Sequence, residues 1–460
     1  MAAFKEEETL KKHDIIETVI EDVHFPNRGI ARVDGKEVII KNAIKGQRVK
    51  ARVVKNKKDR AEASIIEVLE RAPYETEPIC PHFGVCGGCS YQTLSYEHQI
   101  ELKASQVKRL LDDAGIGEYE FLGIERSPRE FQYRNKMEFS FGDVERGGEL
   151  ALGLHRKGSF YEVVTVNGCQ IVDDDFGKVL EVVLDYFRDK GIPFYKKKTH
   201  EGVLRHLVVR KAQRTGELLV NLVTSSQMEL DLSSLVERVR GIELDGELVG
   251  FLHTINDSIS DVVKSDETRV LFGRDYILEE ILGLKFKISA FSFFQTNSLG
   301  AERLYSIVRD FAGETRDKVI FDLYSGTGTI AQIMAPVAKK VIGIEIVEEA
   351  VEAARENAAL NGLTNCEFIA GDVLKKVEEL KNKPDIIILD PPRDGIHPKA
   401  IGKIISFDAP RIVYVSCKPT SLARDLQVFV ERGYEVKKVK CMDMFPHTYH
   451  VETVVLIEKK

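Results

Sequence analysis

A thiol and a carboxylate far along the chain form a chemical pair. Cys417 sits in Tyr414-Val415-Ser416-Cys417-Lys418-Pro419, and Glu452 closes the run Phe445-Pro446-His447-Thr448-Tyr449-His450-Val451-Glu452. Asp390-Pro391-Pro392-Arg393 lies 27 residues before Cys417 and follows the apolar run Ile386-Ile387-Ile388-Leu389. A thiolate is a strong nucleophile even when sparsely populated at neutral pH. A cysteine at the end of a predicted strand, Ile412 to Val415, would face the same cleft as the Asp-Pro-Pro turn. Ligands of open α/β sheets bind outside the carboxyl ends of the strands. This pairing suggests methyl transfer to an unreactive carbon rather than to a nitrogen.

The elements that must position these groups begin near residue 295, where strand and helix patterns alternate as in a doubly wound α/β domain. Val319-Ile320-Phe321-Asp322-Leu323 reads as a buried parallel strand running into Tyr324-Ser325-Gly326-Thr327-Gly328-Thr329. Gly326 and Gly328 let the backbone turn sharply and approach a ligand. The next strand ends at Glu345, 23 residues after Asp322, where an acid can accept hydrogen bonds from ribose hydroxyls. The glycine loop also fits a looser dinucleotide pattern, so NAD is an alternative. Two features favour S-adenosylmethionine. Asp372 follows the strand Cys366 to Ala370, within reach of an adenine amino group, and Asp390 ends a fourth strand, where hydride transfer has no use for Asp-Pro-Pro.

Carbon 5 of a uracil would be a fitting target. It is a poor nucleophile until a thiolate adds to carbon 6, and a base must later remove its proton so that the thiol can leave. Cys417 is the candidate nucleophile and Glu452 the candidate base. Lys418 could hold the thiol as thiolate, since nearby positive charge lowers a cysteine pKa.

A second cysteine set, Cys80, Cys86 and Cys89, has the spacing C-x5-C-x2-C, and Cys169 follows 80 residues later. Four thiolates can bind zinc or an iron–sulfur cluster. Spacing alone does not choose, although three-plus-one suits a cluster better than zinc. Seven cysteines in a long chain without a secretory signal make disulfides a poor explanation.

Before residue 70 the chain reads as short strands, Ile15 to Ile20, Ala31 to Val33, Glu37 to Ile40 and Arg48 to Val54, as in a small oligonucleotide-binding barrel. Net charge is −7, yet residues 41–60 carry nine Lys/Arg against one acid, Asp59. Such a surface can neutralise phosphates. A helix is expected over 98–113, and β structure again from about 132 to 290. No apolar run approaches the ~20 residues that cross a bilayer, and a cytoplasmic monomer is expected.

At these positions the sequence resembles the RNA uracil-5 methyltransferases. The matching segments are Ser416-Cys417-Lys418-Pro419, His450-Val451-Glu452, Phe294-Gln295-Thr296-Asn297 and Tyr133-Arg134-Asn135-Lys136-Met137-Glu138-Phe139. The resemblance implies Cys417 as nucleophile and Glu452 as base. It implies cofactor contacts by Gln295, Tyr324, Glu345 and Asp390, with Asp390 also beside the uracil, and more loosely by Asp372. It favours a 4Fe–4S cluster on Cys80, Cys86, Cys89 and Cys169. The first residues look like the TRAM module of the ribosomal-RNA branch.

The implied division has three parts. Residues 1–72 form an RNA-binding, TRAM-like β-barrel. Residues 73–97 and 132–290 form a β-rich central RNA-binding domain with the cluster. Residues 98–131 and 291–460 form a class I, Rossmann-like α/β methyltransferase domain. The expected activity is S-adenosylmethionine-dependent methylation of a uridine in free or partly assembled 23S rRNA. The alternatives are a transfer-RNA uridine, an exocyclic amino group, or a non-catalytic iron–sulfur RNA-binding protein.

Overall fold

The computed structural model describes residues 10–259, 266–373, 375–376 and 383–460. The first sheet contains β1 (Ile15–Val19), β2 (Asp22–His24), β3 (Arg28–Val33), β4 (Lys36–Lys41), β5 (Arg48–Asn56) and β6 (Arg60–Glu70), in the order β1-β5-β6-β4-β3-β2. Along β5, Val49, Ala51 and Val53 are buried while Arg48 and Arg52 are exposed. Side chains of a strand alternate between faces, so burying the apolar set turns the basic set outward. Helix α1 (Tyr96–Asp113) follows, two residues longer than expected at its start, with Ser95 accepting at its N-cap from His98. Strand β7 (Glu120–Glu125) comes next.

The central sheet contains β8 (Lys136–Asp143), β9 (Leu150–His155), β10 (Val163–Thr165), β11 (Leu204–Lys211), β12 (Glu217–Thr224), β13 (Glu247–Ile255) and β14 (Glu267–Gly273). Their order is β10-β9-β8-β11-β12-β13-β14. Two helices absent from the sequence reading, α2 (Asp174–Lys190) and α3 (Ser233–Arg240), pack Phe176, Leu180 and Leu235 against Phe139, Leu207 and Val220 of this sheet. A hairpin of β15 (Tyr276–Ile281) and β16 (Leu284–Ser289) comes last. Its Ile277, Phe286 and Ile288 share a core with Leu304 and Val308 of the helix that follows.

That helix is α4 (Ser298–Ala312). The alternating pattern then yields β17 (Val319–Leu323), α5 (Thr329–Met334), β18 (Lys340–Glu345), α6 (Glu348–Leu360), β19 (Cys366–Ala370), β20 (Ile386–Leu389), α7 (Pro398–Ser406), β21 (Arg411–Ser416), α8 (Pro419–Glu431), β22 (Tyr434–Met442) and β23 (Glu452–Lys459). The sheet runs β19-β18-β17-β20-β21-β23-β22-β7. Strands β17 to β21 are parallel and β23 is antiparallel to both neighbours. Alternate residues feed cores on both faces. Ile320, Ile388 and Val413 pack towards α4, whereas Phe321, Leu389 and Tyr414 pack with Leu111 of α1 and Leu426 of α8. Burial on both faces explains why the strands read as continuous apolar runs. The strand order reverses at β17, with β18 on one side and β20 on the other. A ligand crevice belongs outside the carboxyl ends of those two strands.

Candidate active site

Strand register brings the thiol and the base together. Ser416 of β21 is paired with Thr453 of β23, the last pair of that ladder. Cys417 directly follows Ser416 and Glu452 directly precedes Thr453, so both lie at the same end of that ladder, close enough for the Glu452 charge to act on the thiol. Glu452 is only 6% exposed, whereas Cys417 is half-buried. Asp390 follows β20, whose Leu389 is paired with Tyr414, so it lies at the same end of the sheet.

These acids perturb one another. Burial, then the neighbouring Asp390, pushes Glu452 up to about 8, and the Arg393 guanidinium pulls the other way. Burial raises Asp390 to about 7. Burial pushes the Cys417 thiol up to about 11, helped by Glu452 and Asp390 and opposed by Arg393. The cation acting on Cys417 is therefore Arg393, not Lys418 as the sequence suggested. Lys418 Nζ is turned towards Asp394, 3.9 Å away. The reason is local: Lys418 is the N-cap of α8, and its side chain is about half exposed.

The cofactor candidates surround the β17 end of the crevice. Tyr324 has a left-handed backbone, φ 69°, and opens the glycine loop. Burial pushes its hydroxyl up to about 12, with Asp372 and Asp425 adding to the effect. Gly328 has φ +72°, and a Cβ there would lie 2.5 Å from a ring carbon of Phe368. Only glycine fits this turn. Glu345 ends β18 and accepts from the Gly326 N–H at 3.0 Å and the Val347 N–H at 3.0 Å, which fixes the loop against the strand. Gln295 is placed by its neighbours. Phe294 is buried in the α4 core, and Asn297 caps α4 by accepting from the Gly300 N–H at 2.8 Å.

Three groups escaped the sequence reading as site residues. Asp322 is fully buried, accepts from the Ala331 N–H at 3.0 Å and keeps Oδ1 without a partner. Burial raises it to about 7, with Asp390 contributing. Ser325 Oγ is likewise unpartnered. A ligand carrying an ammonium group and ribose hydroxyls, as S-adenosylmethionine does, fits these orphaned acceptors. Tyr305 of α4 is buried beside Gln295, and Asp390, Asp322 and Glu452 lie near enough to act on its hydroxyl. Its only sequence signal is the helical period that follows Asn297.

The other cysteines gather where loop 80–92 meets 167–169. The Gly168 N–H donates to His82 Nε2 at 3.2 Å. Burial, with a smaller contribution from the neighbouring thiols, pushes Cys89 up to about 12 and Cys169 up to about 11. The Gly88 N–H reaches Cys86 Sγ at 3.3 Å, and Gln92 Nε2 reaches Cys89 Sγ at 3.5 Å. Among the described residues, no three of the four sulfurs lie within 4.8 Å of one another. A single tetrahedral zinc with bonds of about 2.3 Å would need sulfurs roughly 3.8 Å apart.

No helix among the described residues is long and apolar enough to cross a membrane. The family described as tRNA (Uracil-5-)-methyltransferase matches residues 246–460, and the TRAM domain matches residues 14–66. An uncharacterised RNA methyltransferase of Caldanaerobacter subterraneus subsp. tengcongensis is 58% identical over 98% of this chain and 100% of its own length. One of Clostridium tetani is 56% identical over 98% and 99%. Among solved structures, the tRNA (uracil-54, C5)-methyltransferase of Pyrococcus abyssi, in complex with S-adenosyl-L-homocysteine, superposes with a TM-score of 0.76 at 27% identity, covering 96% of this chain and 100% of that one. The chain belongs to the TRAM-containing RNA uracil-5 methyltransferases, a family of S-adenosylmethionine-dependent enzymes.

Proposed function

We propose that this enzyme methylates carbon 5 of a uridine in 23S rRNA through a covalent Cys417 adduct. The observation that supports the mechanism is that Cys417 and Glu452 flank the last pair of one ladder, Ser416 with Thr453, and Asp390 follows the neighbouring strand. Bound S-adenosylmethionine supplies an electrophilic methyl group. Gln295, Tyr324, Gly326, Gly328, Glu345 and Asp372 would hold it, with Asp322 accepting from its ammonium group. The target base leaves its stack to enter the crevice. Cys417 adds to carbon 6, and carbon 5, now nucleophilic, takes the methyl group. Glu452 removes the carbon-5 proton, the carbon 5–carbon 6 double bond re-forms, and the Cys417 thiolate leaves. Asp390, held near neutrality, can hydrogen-bond the uracil edge during these steps.

Cys80, Cys86, Cys89 and Cys169 would hold a 4Fe–4S cluster. Three close cysteines plus a distant fourth support a cluster better than the two close pairs usual for zinc. No step above consumes an electron, so a bound cluster would supply rigidity. The outward basic face of β5 would dock on phosphates. We place the work in the cytoplasm, done by a monomer on free or partly assembled rRNA.

A transfer-RNA target is the second reading, favoured by the full-length superposition on a tRNA methyltransferase. Mass mapping of RNA from a deletion strain separates the two. Loss of 5-methyluridine from 23S rRNA supports the first reading, and loss from tRNA alone supports the second. In the purified enzyme, Cys417→Ala should abolish turnover while cofactor binding survives. Full activity of that variant would sink the mechanism.

A further inference from the structure

The segment that delivers Glu452 is gripped most densely at His447. His447 stands five positions before Glu452, is 4% exposed and takes φ 66°, a left-handed backbone that bulky residues rarely adopt. Its carbonyl accepts from the Ser90 N–H at 2.7 Å and the Tyr91 N–H at 2.9 Å. Ser90 and Tyr91 directly follow Cys89. The His447 N–H donates to Gln99 Oε1 at 2.8 Å, and Gln99 Nε2 lies 3.1 Å from His447 Nδ1. Phe131 stacks on the imidazole, with ring centroids 4.3 Å apart and 25° between planes. Just upstream, the Tyr133 hydroxyl donates to the Pro446 carbonyl at 3.0 Å and Lys103 Nζ to the Phe445 carbonyl at 3.1 Å. A strained backbone persists only where its surroundings over-determine it. Two of the bonds that do so here come from the cysteine loop.

We propose that His447 is a positioning residue through which the filled cysteine loop sets the geometry of Glu452. An emptied loop shifts Ser90 and Tyr91, relaxes His447 and misplaces the base. The proposal rests on Glu452 being the base and on the four cysteines being a ligand set. The affected step is the last one. The Glu452 carboxylate takes the carbon-5 proton, the C–H electron pair becomes the carbon 5–carbon 6 double bond, and the carbon 6–sulfur pair returns to Cys417 as thiolate. Attack and methyl transfer depend on Cys417 at the end of β21, which this grip does not hold. The signature is therefore a methylated RNA–protein adduct that forms and lingers.

The test uses full-length protein, a methyl-labelled donor and an RNA fragment containing the target, and counts labelled, denaturation-resistant adduct. Gln99→Leu removes two bonds to His447, and Phe131→Leu removes only the stack. Both should raise the adduct fraction at least tenfold over the parent, with an unchanged cofactor Kd. Protein stripped of iron should likewise hold more adduct than protein reconstituted with iron and sulfide. Glu452→Gln runs alongside as the reference trap. If it traps adduct while the Gln99 and Phe131 variants and the stripped protein do not, the role of His447 is refuted. If Glu452→Gln itself traps nothing, the base assignment fails and takes this proposal with it. Phe131→Leu leaves every backbone bond at His447 in place, so it decides the matter if Gln99→Leu does not fold.

Discussion

Replacing Arg393 by Met tests the electrostatics of Cys417, the proposed nucleophile, directly. Arg393 is the cation that lowers Cys417, against burial, Glu452 and Asp390, which hold the thiol near 11. An opposite charge beside an acid shifts its pKa by about 1–3 units. Arg393 is exposed, so solvent screening points to the lower end, about 1 unit. One unit is about 1.4 kcal/mol, or about tenfold less thiolate at neutral pH. The assay is alkylation of Cys417 by iodoacetamide across a pH series, read by mass spectrometry, beside single-turnover methyl transfer. Arg393→Met should move the alkylation midpoint up by about one unit and slow methyl transfer about tenfold. Arg393→Lys should recover part of both. Added salt should raise the midpoint in the parent but not in Arg393→Met, because screening weakens only an exposed charge that is present. An unchanged midpoint in Arg393→Met, with Lys418→Met producing the shift instead, would refute the assignment.

Further outcomes follow from the buried acids and their partners. Glu452 is held near 8 and, as the proposed base, must act as carboxylate, so breakdown of the proposed adduct should accelerate as pH rises through about 8; a rate independent of pH from 6 to 9 would count against it. Asp322 has a folded pKa of about 7, above its ordinary 3.8, so its favourable contribution is complete below the ordinary value and is lost as pH rises through about 7. Asp322→Asn should therefore raise the Tm of the cofactor-free protein most above neutrality and progressively less as the pH falls towards the ordinary value, while calorimetry shows cofactor binding weakened by about tenfold, as loss of a charged hydrogen bond entails. Lys103 and Asp443 form a fully buried pair at 2.7 Å. Lys103→Met should cost about 3–5 kcal/mol in urea unfolding, and adding Asp443→Leu should recover most of it; a cost below about 1 kcal/mol would show that the pair is not held as the structure has it.

The parts of the fold written in short-range patterns were readable. Continuous apolar strands such as Ile386–Leu389, each ending in a chemically distinctive residue, exposed the alternating α/β order and most of the crevice. What failed was long-range or electrostatic. Nothing near Arg393 or Lys418 tells which cation turns towards Cys417, because that depends on how α8 presents its N-terminus. Asp322 reads as an ordinary strand residue until the topology buries it at the reversal of strand order. Helix α2 was missed although its punctuation was present, with Asp173 accepting at the N-cap and Gly191 in left-handed geometry at the C-cap. Its Val- and Phe-rich centre, Val182-Val183-Leu184-Asp185-Tyr186-Phe187, was not distinguished from the β-rich sequence around it. The edge strand β7 carries too weak an alternation to declare its partner β22, more than 300 residues away.

That distant pairing has a consequence for how the chain is made. Helix α1 and strand β7 are synthesised early but belong to a sheet completed by β22 and β23. Lys103 must wait for Asp443, 340 residues later. Contacts of such sequence separation slow folding, because loop-closure entropy is lost before they can reward it. On the ribosome, the basic sheet and the central sheet can form first, since each is built from a nearly contiguous stretch. The α1–β7 segment would meanwhile stand as an unfilled edge, a natural substrate for chaperones. Because Glu452 reaches the Cys417 end of the sheet only when β23 docks, the proposed reaction would wait for the last strand even in a nascent chain that already grips RNA.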